Sequence, residues 1–247
     1  MTKTAPSDRN TAARETILAR VREALRTPAP PPHLKSAASA PAATNGLPQL
    51  AVLPEEAARP WLPDGGDTPA ARLGILTENL GKLRALVYPV PDMTAAADLV
   101  GTLARERDWR QVAWHDHPLV AALRHGIPCG TLEVGPAAFD KSALEACDAG
   151  ITACEALVAQ TGSILVSSAT CGGRALSILP HVHVVVATLD KIVATLGDAL
   201  HHVRERHAGR LPSMLSFITG PSRTGDIERI LVLGAHGPKE LVVILVG

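Results

Sequence analysis

Apolar residues at 17, 18, 21 and 25 fall at i, i+1, i+4 and i+8, with arginine and glutamate between them. That is the spacing of an amphipathic helix, predicted over residues 11–26. The pattern then stops. Residues 27–63 are rich in proline and alanine and show no period, as expected of a linker or an arm laid on a surface. From residue 64 to the end, apolar runs return and alternate in kind. Helical spacing covers 70–86, 94–107 (with Thr94 as its cap), 118–124, 142–147 and a stretch that Asp190 would cap and that runs to His207. Short runs rich in β-branched residues mark strands at 110–114, 131–134, 182–187, 214–219 and 241–246, and two or three more within 151–166, broken at Gly162. Strands alternating with helices predict an α/β fold, a mostly parallel sheet covered by helices. The chain thus divides into an N-terminal helix (1–26), a linker (27–63) and one α/β domain (64–247). The long separation of the first helix suits it to packing on a second copy, in a homo-oligomer, or on another partner.

Composition narrows the function classes. Lys plus Arg balances Asp plus Glu at 24 each, without the basic excess of a nucleic-acid binder. Aromatic residues make up only 2%, too few for base-stacking platforms. No apolar run reaches the roughly 20 residues of a membrane helix, and the polar start lacks a secretory h-region, so the expected location is the cytoplasm. Cys129, Cys147, Cys154 and Cys171 include no C-x-x-C pair, so neither an iron–sulfur cluster nor a zinc module is expected in this chain.

Three polar segments carry candidate chemistry. Thr161-Gly162-Ser163 places two hydroxyls around a glycine between strands, a tight turn or a cradle for a ligand. Gly172-Gly173-Arg174 sets an arginine on a loop whose glycines permit close backbone approach, although no G-x-G-x-x-G or P-loop is present. Gly220-Pro221 turns the chain into Ser222, Arg223, Thr224 and Asp226, a polar run suited to an anion, with Arg223 supplying a planar donor fork. Arg174 and Arg223 are expected to converge on one pocket holding a small carboxylate or phosphate, with Thr161 and His236 at its edge. His181 and His183 flank Val182, and a strand's period of two would put both rings on one side. A metal would need a third ligand from Glu155, His201, His236 or Asp226, which no spacing selects, so no metal is expected. His201-His202 lies on a predicted helix and faces solvent. His236 precedes the last strand in a turn, where loops line α/β clefts, and with His183 it is a candidate proton donor or acceptor.

Taken in order, Gln160-Thr-Gly-Ser, Gly173-Arg-Ala-Leu-Ser-Ile-Leu-Pro with His183, Gly220-Pro-Ser-Arg-Thr-Gly-Asp-Ile-Glu and His236-Gly-Pro resemble the lactate-utilisation protein C family, built on the LUD domain. The first helix also looks like the family's opening helix. The resemblance covers residues 151–247 well and 27–150 loosely. It implies a three-layer α/β fold similar to sugar-phosphate isomerases and CoA transferases. It further implies an accessory role in oxidising L-lactate to pyruvate beside two iron–sulfur proteins, which hold the clusters this chain lacks. The chain departs from the family pattern in carrying Gln160 where an acid is common, Ser163 where threonine is common, and one arginine at Gly173-Arg174 where two often stand. Two alternatives remain on these residues alone: a stand-alone enzyme on a CoA-transferase-like scaffold acting on a phosphorylated or acyl substrate, and a non-catalytic scaffold protein. A converging polar cleft separates the first two readings from the third.

Overall fold

The computed structural model describes residues 8–24, 26, 62–135, 139–208, 210–224, 232–234 and 236–247. Contacts divide the chain into Met1–Val52 and Leu53–Gly247. The first unit contains helix α1 (Asp8–Ala24), where the apolar spacing predicts it. The predicted linker lies largely outside the described residues.

The second unit is built on a six-stranded sheet whose neighbouring strands all run parallel. Its strands are β1 (Leu86–Val90), β2 (Gln111–Trp114), β3 (Gly130–Glu133), β4 (Ala149–Thr152), β7 (Val182–Thr188) and β12 (Glu240–Val246), in the order β1-β12-β7-β4-β2-β3. Central strands of a parallel sheet are buried on both faces, so they read as continuous β-branched runs. In β7 and β12 alternate residues go to opposite cores. Val182, Val184, Val186, Val242, Ile244 and Val246 pack with α3 (Met93–Glu106) and α4 (Pro118–Leu123). Val185, Ala187, Leu241, Val243 and Leu245 pack toward α2 (Pro69–Lys82) and a second sheet.

That second sheet is a feature the sequence pattern does not announce. It has four strands in the order β8-β5-β6-β9: β5 (Ala156–Val158), β6 (Ser163–Ser167), β8 (Ile192–Val193) and β9 (Leu215–Ile218). Helix α6 (Leu196–Arg206) closes its outer face, with Ala199 and Val203 against Ala156, Val158 and Leu165. A short helix, α5 (Lys141–Glu145), precedes β4, and β10 (Arg223–Thr224) pairs with β11 (Val232–Leu233).

Several boundaries differ from expectation for local reasons. Helix α2 stops at Lys82 rather than at 86, because Arg84 takes a left-handed φ of 65° and the Ala85 N–H bonds the Leu80 carbonyl, a Schellman-type end. Leu86 then opens β1. This strand tolerates Pro89 because it lies at the sheet edge and needs hydrogen bonds on one side only. Asp92, not Thr94, caps α3, accepting from the Ala95 N–H at 2.8 Å. Asp190 falls in a 3-10 turn, and α6 begins only after β8. Its cap is Thr195, whose hydroxyl and the Asp198 carboxylate form a reciprocal capping box.

Candidate functional site

In open α/β sheets, ligands bind beyond the carboxyl ends of the strands where the winding reverses. Here β2 leads through α4 outward to β3. The chain then returns through α5 to β4 on the other side of β2, and β7 continues away from it. The reversal therefore lies between β2 and β4. His115 and His117 follow β2, and Ala153, Cys154 and Glu155 follow β4. The loop after β6 lies over both strand ends. Its Thr170 carbonyl accepts from the Ala153 N–H, and Gly172, at φ 62°, sits where an added Cβ would stand 2.6 Å from the His115 Cβ.

A buried carboxylate organises this end of the sheet. Glu155 is fully buried. One of its oxygens accepts from the Ser167 hydroxyl at 2.6 Å and from His207 Nε2 at 3.0 Å, and the other accepts from Arg206 Nη1 at 3.1 Å. Burial alone would raise its pKa, but the Ser167 and His207 hydrogen bonds and the Arg206 charge outweigh it and hold the carboxyl below its usual range. His117 is held low by burial first and then by the Arg206 charge. Burial, with His117 adding to it, pushes His115 down to about 4. Burial also drives the Cys154 and Cys171 thiols up to about 12, so neither supplies a thiolate at neutral pH.

Two cavities open around Arg174, which lies on their shared wall. The first, about 410 Å3, is lined by Arg174, Ser168, Ser213, His207 and Phe139 among others. Arg174 Nη2 donates to the Ser213 carbonyl at 2.7 Å, and among the described residues the guanidinium has no ion-pair partner. The second, about 490 Å3, lies toward the amino ends of β7 and β12 and is lined by Arg174, Ser177, Thr219, Ser222, His236 and Pro238 among others.

The residues singled out in the sequence distribute as follows. Arg174, Ser222 and His236 meet at the second cavity. Thr161 and Ser163 join hydroxyls at 2.7 Å, and Ser163 bonds Thr219 at 2.8 Å, so the chain of hydroxyls reaches this cavity only through Thr219. Gly162, at φ 64°, makes the turn between them and packs against Asn79 and Leu83. Gln160 is buried and donates from Nε2 to the Pro63 carbonyl at 2.7 Å, a bond that a carboxylate there would be unable to make. Gly173 has φ 108° and lines the first cavity. Arg223 is exposed, its Nη2 about 3.3 Å from the position of a Cβ on Gly220, and it is not among the residues lining either cavity. The backbone of Thr224 is in β10, and Asp226 lies outside the described residues.

His181 and His183 do not share an environment: His181 is exposed, whereas His183 is 1% exposed and its Nε2 lies 2.8 Å from Thr152 Oγ1. Burial pushes His183 down to about 3, which makes it a core histidine in neutral form. Among the described residues no group of three or more His, Cys, Asp and Glu is placed to hold a metal ion. No helix among them is long and apolar enough to cross a membrane.

The Glu155–His207 pair is not predicted as a unit from the sequence. A usable signal was present: Glu155 is the one charge within the apolar stretch 151–166, and a lone acid there marks a buried, partnered carboxylate.

A family model described as the LUD domain matches residues 73–246. Lactate utilization protein C of Shouchella clausii is 38% identical over 103 residues, 41% of this chain and 45% of that protein. The protein of the same description from Deinococcus radiodurans is 36% identical over 129 residues, 49% of this chain and 60% of its own, and that of Bacillus subtilis is 36% identical over 104 residues, 41% and 43%. The matched stretch spans about half the length of these curated relatives. The crystal structure of a DUF162 family protein from Deinococcus radiodurans superposes with a TM-score of 0.55 at 25% identity, over 73% of this chain and 99% of that chain. Because the family model extends from α2 through β12, taking in both sheets and both cavities, the chain belongs to the LUD domain family.

Proposed function

We propose that this chain serves in the utilisation of L-lactate, as an accessory component of its oxidation to pyruvate, and that it holds a small carboxylate against Arg174. The relatives described as lactate utilization protein C support the role. The observation that carries the ligand is an arginine that, among the described residues, has no ion-pair partner, on the wall of a cavity that also presents Ser168, Ser213 and His207. A guanidinium matches a carboxylate with two parallel N–H donors. The imidazole opposite then meets the oxygen on the ligand's α-carbon. Electrons leave the substrate for two iron–sulfur partner proteins in the cytoplasm, and this chain needs no cofactor of its own.

The second cavity gives a competing seat, favoured by its joining Arg174 to Ser222 and His236. Ser168→Ala weakens binding if the first cavity is the seat, and Ser222→Ala does so if the second is. The role itself is tested by deleting the gene and following growth on L-lactate as sole carbon source, with a pull-down of the tagged chain from lactate-grown cells. Loss of growth, rescue by the parent chain but not by Arg174→Ala, and recovery of two iron–sulfur proteins support the proposal. Undiminished growth of the deletion strain overturns it.

A further inference from the structure

The geometry points to His207 as the residue that senses whether the bound acid carries an α-hydroxyl or an α-oxo group, by accepting a hydrogen bond at Nδ1 in one state and donating one in the other. This rests on the reading that Arg174 holds a small carboxylate in the same cavity.

Glu155 fixes the tautomer. As a carboxylate it can only accept, so His207 Nε2, 3.0 Å away, must carry a hydrogen in both protonation states. Ser167 and Arg206 hydrogen-bond the same carboxylate, one at each oxygen, and hold it against turning away. Neutral His207 therefore presents a bare Nδ1, and only the imidazolium presents an N–H there. Among the described residues no side chain or backbone group bonds that nitrogen, while His207 itself lines the cavity. The titratable and charged groups around the ring include Glu155 from the segment entering β5, Arg206 on its own helix, Arg174 across the cavity and, acting on Glu155 and Arg206, His117 after β2. Arg210, whose backbone N–H bonds the His207 carbonyl, is exposed.

The chemistry of the ligand does the rest. An α-hydroxyl both donates and accepts, so it satisfies either form of Nδ1. A keto oxygen only accepts, so it is satisfied by the imidazolium alone. Binding an α-oxo acid thus takes up a proton, whereas binding the α-hydroxy acid takes up less. The carboxylate's own attraction for the imidazolium is common to both ligands and cancels in their ratio. In the unreacted complex no covalent bond of the ligand changes. Glu155 and Ser167 are positioning residues in this scheme, acting through His207.

The test is calorimetric titration of the full chain with L-lactate and with pyruvate at about pH 6 and about pH 8. Each titration is run in two buffers of different ionisation enthalpy. The affinity of pyruvate relative to lactate should fall about tenfold from the lower to the higher pH, the worth of one charge-assisted hydrogen bond. In the parent chain the buffer dependence should report more proton uptake for pyruvate than for lactate, a readout that needs no variant. In His207→Gln, and in His207→Asn should the first fold poorly, the ratio should not change with pH. If both acids bind, Arg174→Ala weakens both, and the ratio is flat with pH in the parent chain, the carboxylate reading stands and this inference is wrong. An unaltered pH dependence in the His207 variants also overturns it. If neither acid binds at all, the carboxylate reading falls and takes this inference with it.

Discussion

His183 offers a direct measure of how strongly the sheet core enforces a neutral imidazole. It lies in β7 with 1% exposure, 2.8 Å from Thr152 Oγ1, and its Nδ1 is buried without a partner among the described residues. Burial pushes it down to about 3, against an ordinary value of 6.5. The sign follows from linkage. The native state keeps the ring neutral while the unfolded chain binds a proton below about pH 6.5, so stability is whole above that pH and falls as pH drops toward 3. Between pH 7 and pH 5 the loss from one such histidine is about 2 kcal/mol, at roughly 1.4 kcal/mol per pH unit once the unfolded group is protonated. His115, pushed to about 4, loses a similar amount over the same window. Glu155 does not confound this window: its folded pKa is lowered, so its contribution persists above an unfolded value of 4.5 and is lost only as pH falls below it. The assay is urea unfolding followed by circular dichroism at pH 7 and pH 5, comparing the parent chain with His183→Gln. A second comparison uses the paired variant His183→Leu/Thr152→Val, in which no buried hydroxyl is orphaned. Each variant should lose about 2 kcal/mol less than the parent on acidification, whatever its stability at pH 7. Equal losses in parent and variants would refute the reasoning.

Two further outcomes follow from the loop and the carboxylate at the strand ends. Gly172→Ala should cost about 2–3 kcal/mol by urea unfolding, because a Cβ there combines a φ of 62° with a 2.6 Å approach to His115; a change within about 0.5 kcal/mol would show that the loop moves freely away from His115. Glu155→Ala should cost about 2–3 kcal/mol, less than a sealed ion pair because Arg206 is 39% exposed and can rehydrate, and it should abolish the difference in proton uptake between pyruvate and lactate; a persisting difference would separate His207's behaviour from its buried partner.

Much of the fold is legible in the residues because the parallel sheet demands a recognisable composition. Residues 184–187 and 241–246 are buried on both faces and read as unbroken apolar runs. Edges and caps are less legible. Leu86–Val90 contains a proline and follows closely on α2, so the left-handed turn at Arg84 is what separates the two. The second sheet hides because only β5 and β6 pair locally, while the short strands β8 and β9 join them from far along the chain. For the site, Arg174 stands out by its glycines and Ser222 and His236 by their turns, and these do share a cavity. Arg223 stands out by chemistry but is not among the residues lining either cavity. His183 carries a ligand's chemistry but occupies a core position. Glu155 and His207 lie 52 residues apart in sequence, so their hydrogen bond is a property of the packing of α6 on the second sheet and not of any local motif.

A crystal structure of the full chain grown with pyruvate tests the central claim most directly. The account predicts the carboxylate on the Arg174 guanidinium and the keto oxygen within hydrogen-bonding distance of His207 Nδ1, in the cavity bounded by Ser168 and Ser213. Pyruvate seated instead against Ser222 and His236, or density in neither cavity at concentrations that saturate binding in solution, would contradict it.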